Sequence, residues 1–105
     1  MKTKEQLKKE VIGYAEELET LASGDYEQFA EYLEGVFDVK ITIDGNFKYD
    51  SVKIALAVGG PGIVFDTGTC EVRGRWGYDE FSWAVKSFAV DAVDDYFQNY
   101  YEECR

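Results

Sequence analysis

The chain has 105 residues, of which 46% are hydrophobic and 16% aromatic, and its 21 acidic and 11 basic side chains give a net charge of −10. This length suits one domain, and the apolar content is high enough to offset chain entropy, so disorder is excluded as the default state. We therefore predict a single domain spanning residues 1–105.

The charge is distributed unevenly along the chain. Four lysines stand among the first nine residues, so residues 10–105 hold 20 acidic and seven basic groups, a net charge of −13. A body with this charge repels phosphate backbones and attracts basic surfaces. We expect no direct binding to nucleic acid. Acidity that serves only solubility is the alternative explanation of the same composition.

Two helices are predicted first. Apolar residues recur at helical spacing over 4–22, after Thr3 and Gln6 in the positions of a capping box. Asp25 is placed to cap a second helix over 26–34. The residues predicted to form the buried stripe of this second helix are Tyr26, Phe29, Ala30 and Leu33.

The hydrophobic period then changes from helical spacing to two, which is typical of half-buried strands. Turn signals such as Asp44-Gly45-Asn46 and Gly59-Gly60-Pro61-Gly62 separate the alternating runs. The predicted strands are 37–43, 47–58, 63–65, 70–76 and 81–85. The last of these has the start of a helix as its alternative, so we predict four to five strands. Strands joined by such short turns pair antiparallel as a meander.

A final helix is predicted from Ser87, which is placed as its N-cap. Its apolar face consists of Ala89, Ala92, Val93, Tyr96, Phe97, Tyr100 and Tyr101. Its opposite, polar face consists of Asp91, Asp94, Asp95, Gln98 and Glu102. The chain is thus expected to have an α+β fold, with two N-terminal helices, an antiparallel meander sheet and one C-terminal helix packed on one face.

The composition argues against common side-chain catalysis. The chain has no histidine, which removes Ser-His and Cys-His nucleophile systems and the commonest metal ligand. Asp91, Asp94 and Asp95 have the spacing of a metal or glycosidase site, and equally that of a solvated helix face. Cys70 and Cys104 match no paired metal motif, and we expect free thiols. We predict no catalytic, cofactor-binding or metal-binding residue.

Two arginines form a second candidate patch. Arg73 and Arg75 alternate with Trp76, so all three lie on one strand with the arginines on the face opposite the tryptophan. Ion pairing across strands is the usual arrangement of such arginines, and a contact patch for a partner is the alternative.

No apolar run is long enough to span a bilayer, and residues 1–10 lead into an amphipathic segment instead of an export signal. We therefore expect a cytoplasmic protein with no membrane association.

The segment from Gly59 to Thr67, continued by Val72-Arg73-Gly74-Arg75-Trp76-Gly77, resembles short proteins of phages and other mobile elements. The small size and acidity of the chain, taken together with this segment, resemble those of anti-CRISPR and antirestriction proteins. This resemblance implies inhibition of a nuclease by occupation of its nucleic-acid-binding surface. It implies no role for any particular residue, because these proteins share no fold or motif.

We therefore expect a non-enzymatic inhibitor that binds a basic nucleic-acid-binding protein, such as a Cas nuclease, with carboxylates in place of phosphates. The predicted contact residues are Asp91, Asp94, Asp95, Glu102 and Glu103, and then Glu27, Glu31 and Glu34. The alternative is a structural or regulatory interaction module of a mobile element that acts through an aromatic surface or as a homodimer.

Overall fold

The computed structural model describes residues 4–104 and places three helices on one face of a five-stranded antiparallel sheet. The helices are α1 (Lys4–Ala22), α2 (Tyr26–Glu34) and α3 (Ser87–Glu103). The strands are β1 (Asp38–Ile43), β2 (Tyr49–Ala57), β3 (Gly62–Asp66), β4 (Glu71–Trp76) and β5 (Asp79–Ala84). The predicted α+β fold is confirmed, with five strands. Thr3 of the predicted capping box lies outside the described residues.

The sheet is a meander in which every strand pairs with its neighbours in sequence, in the order β1-β2-β3-β4-β5. Polar side chains shape its turns. The Asp44 carboxylate accepts hydrogen bonds from the backbone N–H groups of Asn46 and Lys48, at 2.8 and 3.0 Å. Phe47 follows with a φ of 62°. This left-handed turn conformation delays the start of β2 to Tyr49, two residues later than predicted.

The β4 strand also begins later than predicted. Cys70, its predicted first residue, has a φ of 60° and completes the turn from β3. Its thiol lies 3.5 Å from the carbonyl oxygen of Thr67. The strand therefore starts at Glu71.

The hydrophobic core lies between the sheet and the helices. Alternate residues of the central strands are buried, as are the residues of α1 that recur at helical spacing. The largest of these buried side chains are Leu7, Val11, Leu18, Val52, Ile54, Ile63, Phe65 and Val72. Gly74 of β4 lets α1 approach closely, because a Cβ built there would lie 2.4 Å from Cγ2 of Val11.

The helices α1 and α3 cover different strands of the sheet. The first helix, α1, packs above β4 and β5, whereas α3 packs over β2 and beside α1. Asp25 caps α2 as predicted, since its carboxylate accepts from the N–H of Glu27 at 3.1 Å. The N-cap of α3 is Lys86, not Ser87 as predicted. No side chain caps α3 there, and the N–H of Lys86 donates to the Glu19 carboxylate of α1 at 2.9 Å.

Several residues that were predicted to be buried lie at the surface. β1 is an edge strand that the helices cover poorly, so Val39 and Ile43 are exposed. Phe37, the predicted first residue of this strand, lies just before it and is exposed as well. Tyr26 of α2 and Tyr100 of α3 are 65% and 53% exposed. Apart from Phe37, periodicity assigned these side chains to the correct element but not to a covered face.

None of the helices within residues 4–104 is both long enough and apolar enough to cross a membrane.

Candidate partner-binding surface

The acidic side chains are concentrated on two helices. Together α2 and α3 carry eight acidic residues and no basic one. Residues of both helices line the same two surface grooves, so their side chains form one continuous surface. We call this the α2–α3 surface. All the acidic residues that the sequence singled out for partner binding lie on these two helices, and Glu34 and Asp95 line the grooves themselves.

Tyr96 of α3 lies at the centre of the α2–α3 surface and borders both grooves. The first groove, of about 210 Å³, also has Tyr26, Asp95 and Asn99 in its lining. The second, of about 230 Å³, has Glu34 and Tyr100. Partial burial raises the pKa of the Tyr96 phenol above its ordinary value, and the Glu34 carboxylate raises it further. Tyr96 therefore stays neutral near pH 7, as a hydrogen-bond donor beside carboxylates.

The predicted contact residues do not all have the same surroundings. Asp91, Asp95 and Glu103 are exposed on α3, and Glu27 and Glu34 are exposed on α2. Glu31 is exposed as well, but it lines a different groove, between α1 and α2. Glu102 lies on the last turn of α3 and is exposed.

Asp94 differs from the other acids of α3. Its carboxylate accepts a hydrogen bond of 2.6 Å from the hydroxyl of Tyr49, on β2, and this contact is partly buried. Burial raises the pKa of Tyr49, and the hydrogen bond to Asp94 raises it further. The prediction that Asp94 lies on the solvated face, opposite the apolar stripe, is therefore wrong. The hydrogen bond between Tyr49 and Asp94 joins α3 to the sheet.

The arginine patch lies on the face of the sheet that the helices leave open. As predicted, Arg73 and Arg75 point away from Trp76, whose side chain packs against the core. The guanidinium of Arg75 contacts the Glu80 carboxylate on β5 at 2.8 Å, and this hydrogen bond holds the pKa of Glu80 below its usual range. Arg73 lies 3.5 Å from Glu71 and 3.6 Å from Glu80. The predicted cross-strand ion pairing is thus present.

These ion pairs leave a charge-balanced surface. A groove of about 350 Å³ runs along the open face, and its charged lining combines Lys53, Arg73 and Arg75 with Asp66 and Glu71. Because the cations lie beside carboxylates, this groove is much less suited to a polyanion than an unpaired basic cluster would be.

The described residues show no grouping with the geometry of a metal site. Within residues 4–104, no three side chains of the His, Cys, Asp and Glu types are placed to hold a metal ion. Cys70 and Cys104 are both free and exposed.

Sequence reasoning missed the aromatic part of the α2–α3 surface. Tyr26, Tyr96 and Tyr100 were all assigned to buried stripes, yet they border the acidic grooves. The signal in the sequence is the position of these tyrosines next to acids on helices that have no lysine or arginine.

No family model, no curated protein and no solved structure matches this chain.

Proposed function

We propose that this protein is a non-enzymatic inhibitor that binds a basic nucleic-acid-binding protein, such as a Cas nuclease, through the α2–α3 surface. The observation that carries the proposal is the presence on two adjacent helices of eight acidic residues and no basic one. A cleft that is built to hold phosphates has lysine and arginine side chains that accept carboxylates equally well. Occupation of that cleft would exclude DNA or RNA.

The tyrosines make this surface more specific than a charged patch alone. Carboxylates supply long-range attraction and faster association, whereas large partly exposed aromatic rings supply contact area at the centre of an interface. Tyr26 and Tyr100 lie on either side of Tyr96, next to Asp95 and Glu34. We therefore place the centre of the interface at Tyr96. A cytoplasmic location would follow from this role.

The experiment measures binding to a panel of purified basic nucleases, including guide-loaded Cas proteins, over a range of salt concentrations, with DNA cleavage as a second readout. Affinity is expected to fall steeply with salt, because the contacts between the carboxylates of this protein and the basic side chains of the nuclease are electrostatic. Changing Glu34→Gln, Asp91→Asn and Asp95→Asn together should weaken binding by about 1 to 4 kcal/mol, with losses that need not be additive.

A matched control separates the surface from the net charge. Changing Glu5→Gln, Asp38→Asn and Asp50→Asn removes the same three charges from exposed sites outside α2 and α3. This variant should bind nearly as well as the unchanged protein. Equal losses from the two triple variants would show that only net charge matters, and binding that is insensitive to salt and to both variants would refute the proposal.

The second candidate is an interaction module of a mobile element that acts through aromatic contacts. Exposed aromatic side chains on α2 and α3 favour it. Under this alternative, Tyr26→Ala and Tyr100→Ala abolish partner binding while the acidic triple variant and salt have little effect. The same titration therefore distinguishes the two functions.

A further inference from the structure

The outer edge of β5 has unpaired backbone groups. The N–H of Val85 donates to the carbonyl of Cys70 at 2.9 Å, which fixes the alternation of hydrogen bonds between this strand and β4. In an antiparallel pair, every second residue points its N–H and C=O to the neighbouring strand and the others point away. Glu80, Ser82 and Ala84 therefore direct their backbone groups outward. No strand of residues 4–104 pairs with this edge.

This edge has few of the features that usually prevent strand pairing, since its charged residues, Asp79 and Glu80, stand at one end of the strand. The opposite edge, β1, has an exposed lysine, Lys40, and an irregular register between Thr42 and Ile43. Such charges and bulges discourage edge-to-edge contact. The strand β5 has regular register throughout and neither proline nor lysine. Its open stretch ends beyond Ala84, because the N–H of Lys86 is already bound by Glu19.

Apolar surface accompanies the open edge. Trp83 is 44% exposed, and its ring stacks on Phe81 at 6.1 Å between centroids. Beside it, a groove of about 480 Å³ runs between α1 and β5, with Ile12 and Glu16 on its helical side. A partner strand that docks on β5 would cover both the tryptophan and this groove.

We propose that β5 is the interface of a homodimer in which two copies of this chain pair antiparallel about a two-fold axis at Ser82. Ser82 then faces Ser82 of the partner subunit, and Glu80 faces Ala84 of the partner subunit, so the outward backbone groups all find partners. On the helical side, Phe81 faces Trp83 of the partner subunit. Aromatic pairs at such positions stabilise sheets. The result is one continuous sheet through both copies.

The spacing of the helices supports this arrangement. The first helix lies above β4 and β5, so its axis is about 5 Å from the two-fold axis when strands are about 4.8 Å apart. The two copies of α1 would then be about 10 Å apart, which is a normal distance for packed helices. Sheet pairing thus brings α1 into contact with its copy without any change of shape, and Ile12 lies at that seam.

The charges on α1 are complementary to themselves in this orientation. Lys8 lies over the ring of Phe81 and Glu19 bonds Lys86, so α1 runs in the same direction as β5 and the two copies of α1 are antiparallel. The first half of α1 carries three lysines and two glutamates, and the second half carries three glutamates and no basic residue. Each basic half therefore lies beside an acidic half.

A second copy fits these observations better than an unrelated strand, because only a second copy brings its own α1 to packing distance. The inference does not rest on the proposed function. The α2–α3 surface lies outside this interface, since α3 packs over β2 and α1 is the helix beside β5.

Sedimentation equilibrium on the full chain tests the dimer. We expect a species of twice the 12.0 kDa chain mass at micromolar concentration. Ser82→Pro removes an outward N–H without removing a backbone hydrogen bond to β4, and it loses only the exposed 3.3 Å hydrogen bond that Arg73 donates to the Ser82 hydroxyl. This variant should raise the dimer dissociation constant at least about tenfold. Glu16→Lys places a cation in the acidic half of α1, beside the basic half of the partner's α1, so it should weaken the dimer as well. Adding Lys4→Glu reverses the charge in that basic half and should restore the dimer. Tyr78→Ala, at the fully exposed tip of the same hairpin, is the matched control and should have no effect.

Cross-linking tests the register. In a Cys70→Ser, Cys104→Ser background, Ser82→Cys should oxidise to a covalent dimer, because opposed residues in a hydrogen-bonded pair are about 5.5 Å apart between Cα atoms, within disulfide range. Tyr78→Cys should not. The proposal is overturned by a monomer at all concentrations, by a dimer that forms equally well with Ser82→Pro and Glu16→Lys, or by failure of Ser82→Cys to cross-link. Circular dichroism of Ser82→Pro and Glu16→Lys establishes that each is folded; if Ser82→Pro is unfolded, Glu16→Lys and the cross-link decide.

Discussion

The contact between Asp94 and Tyr49 predicts that two neighbouring aspartates of α3 differ sharply in their effect on stability. Asp94 accepts a 2.6 Å hydrogen bond from Tyr49, whereas Asp91, one turn earlier on the same helix, is exposed. Hydrogen bonds to charged groups contribute about 1.5 to 3 kcal/mol, and surface substitutions usually change stability by less than about 0.5 kcal/mol. Helix propensity favours alanine equally at both positions.

The measurement is urea unfolding followed by circular dichroism. Asp94→Ala should lower the free energy of unfolding by about 1.5 to 3 kcal/mol relative to Asp91→Ala. Combination with Tyr49→Phe in a double-mutant cycle should give a coupling of about 1 to 2 kcal/mol. If the two alanine variants are equally stable, or if the coupling is close to zero, the hydrogen bond does not stabilise the fold and the reasoning is refuted.

The same contact makes stability depend on alkaline pH. Burial and the bond to Asp94 raise the pKa of Tyr49 in the folded protein, so folding favours the neutral phenol. This contribution is complete below the ordinary tyrosine pKa of about 10 and is lost as the pH rises above it. Tyr49→Phe should therefore reduce the loss of stability above pH 10. An unchanged alkaline profile in that variant would contradict the assignment.

Two further predictions concern the core and the cysteines. Gly74→Ala should lower the free energy of unfolding by about 1 to 3 kcal/mol, because its Cβ would overlap Val11. The matched control, Gly13→Ala on α1, has nothing within 4 Å of the new Cβ and should raise stability by about 0.5 to 1 kcal/mol; equal effects in urea unfolding would contradict this account. Both cysteines are exposed, so thiol titration of the native protein without reductant should find two reactive groups, whereas none in a monomer would indicate an internal disulfide.

The type and order of the helices and strands could be predicted from the sequence, because the hydrophobic period of each element is a local property of the chain. Helical spacing over residues 4–22 and alternation in β4 identified which side chains share a face, and the arginine positions followed directly. Periodicity does not say whether another element covers that face. For this reason Tyr26, Val39 and Ile43 were assigned to covered faces although they are exposed.

Contacts between distant parts of the chain were also beyond the sequence. Asp94 and Tyr49 are 45 positions apart, and nothing near either residue distinguishes Asp94 from Asp91. The predicted starts of β2 and β4 were wrong for a different reason. Phe47 and Cys70 have positive φ values that neither residue type favours, so the turns extend past positions where β-formers indicated strand. The grouping of Glu34, Asp95 and Tyr96 likewise depends on how α2 meets α3.

The packing of α1 on β4 and β5 has a consequence for the order in which the chain folds. The consecutive hairpins of the meander can form locally, which favours rapid folding. The buried stripe of α1 is different, because Leu7 packs beside Gly74 and Glu19 binds Lys86, each 67 positions away. During synthesis α2 is the first element that can cover part of this stripe, and the region around Leu7 and Val11 has no covering strand until β4 has emerged from the ribosome. Leu7 and Val11, among the earliest apolar residues to be made, are therefore among the last to be buried.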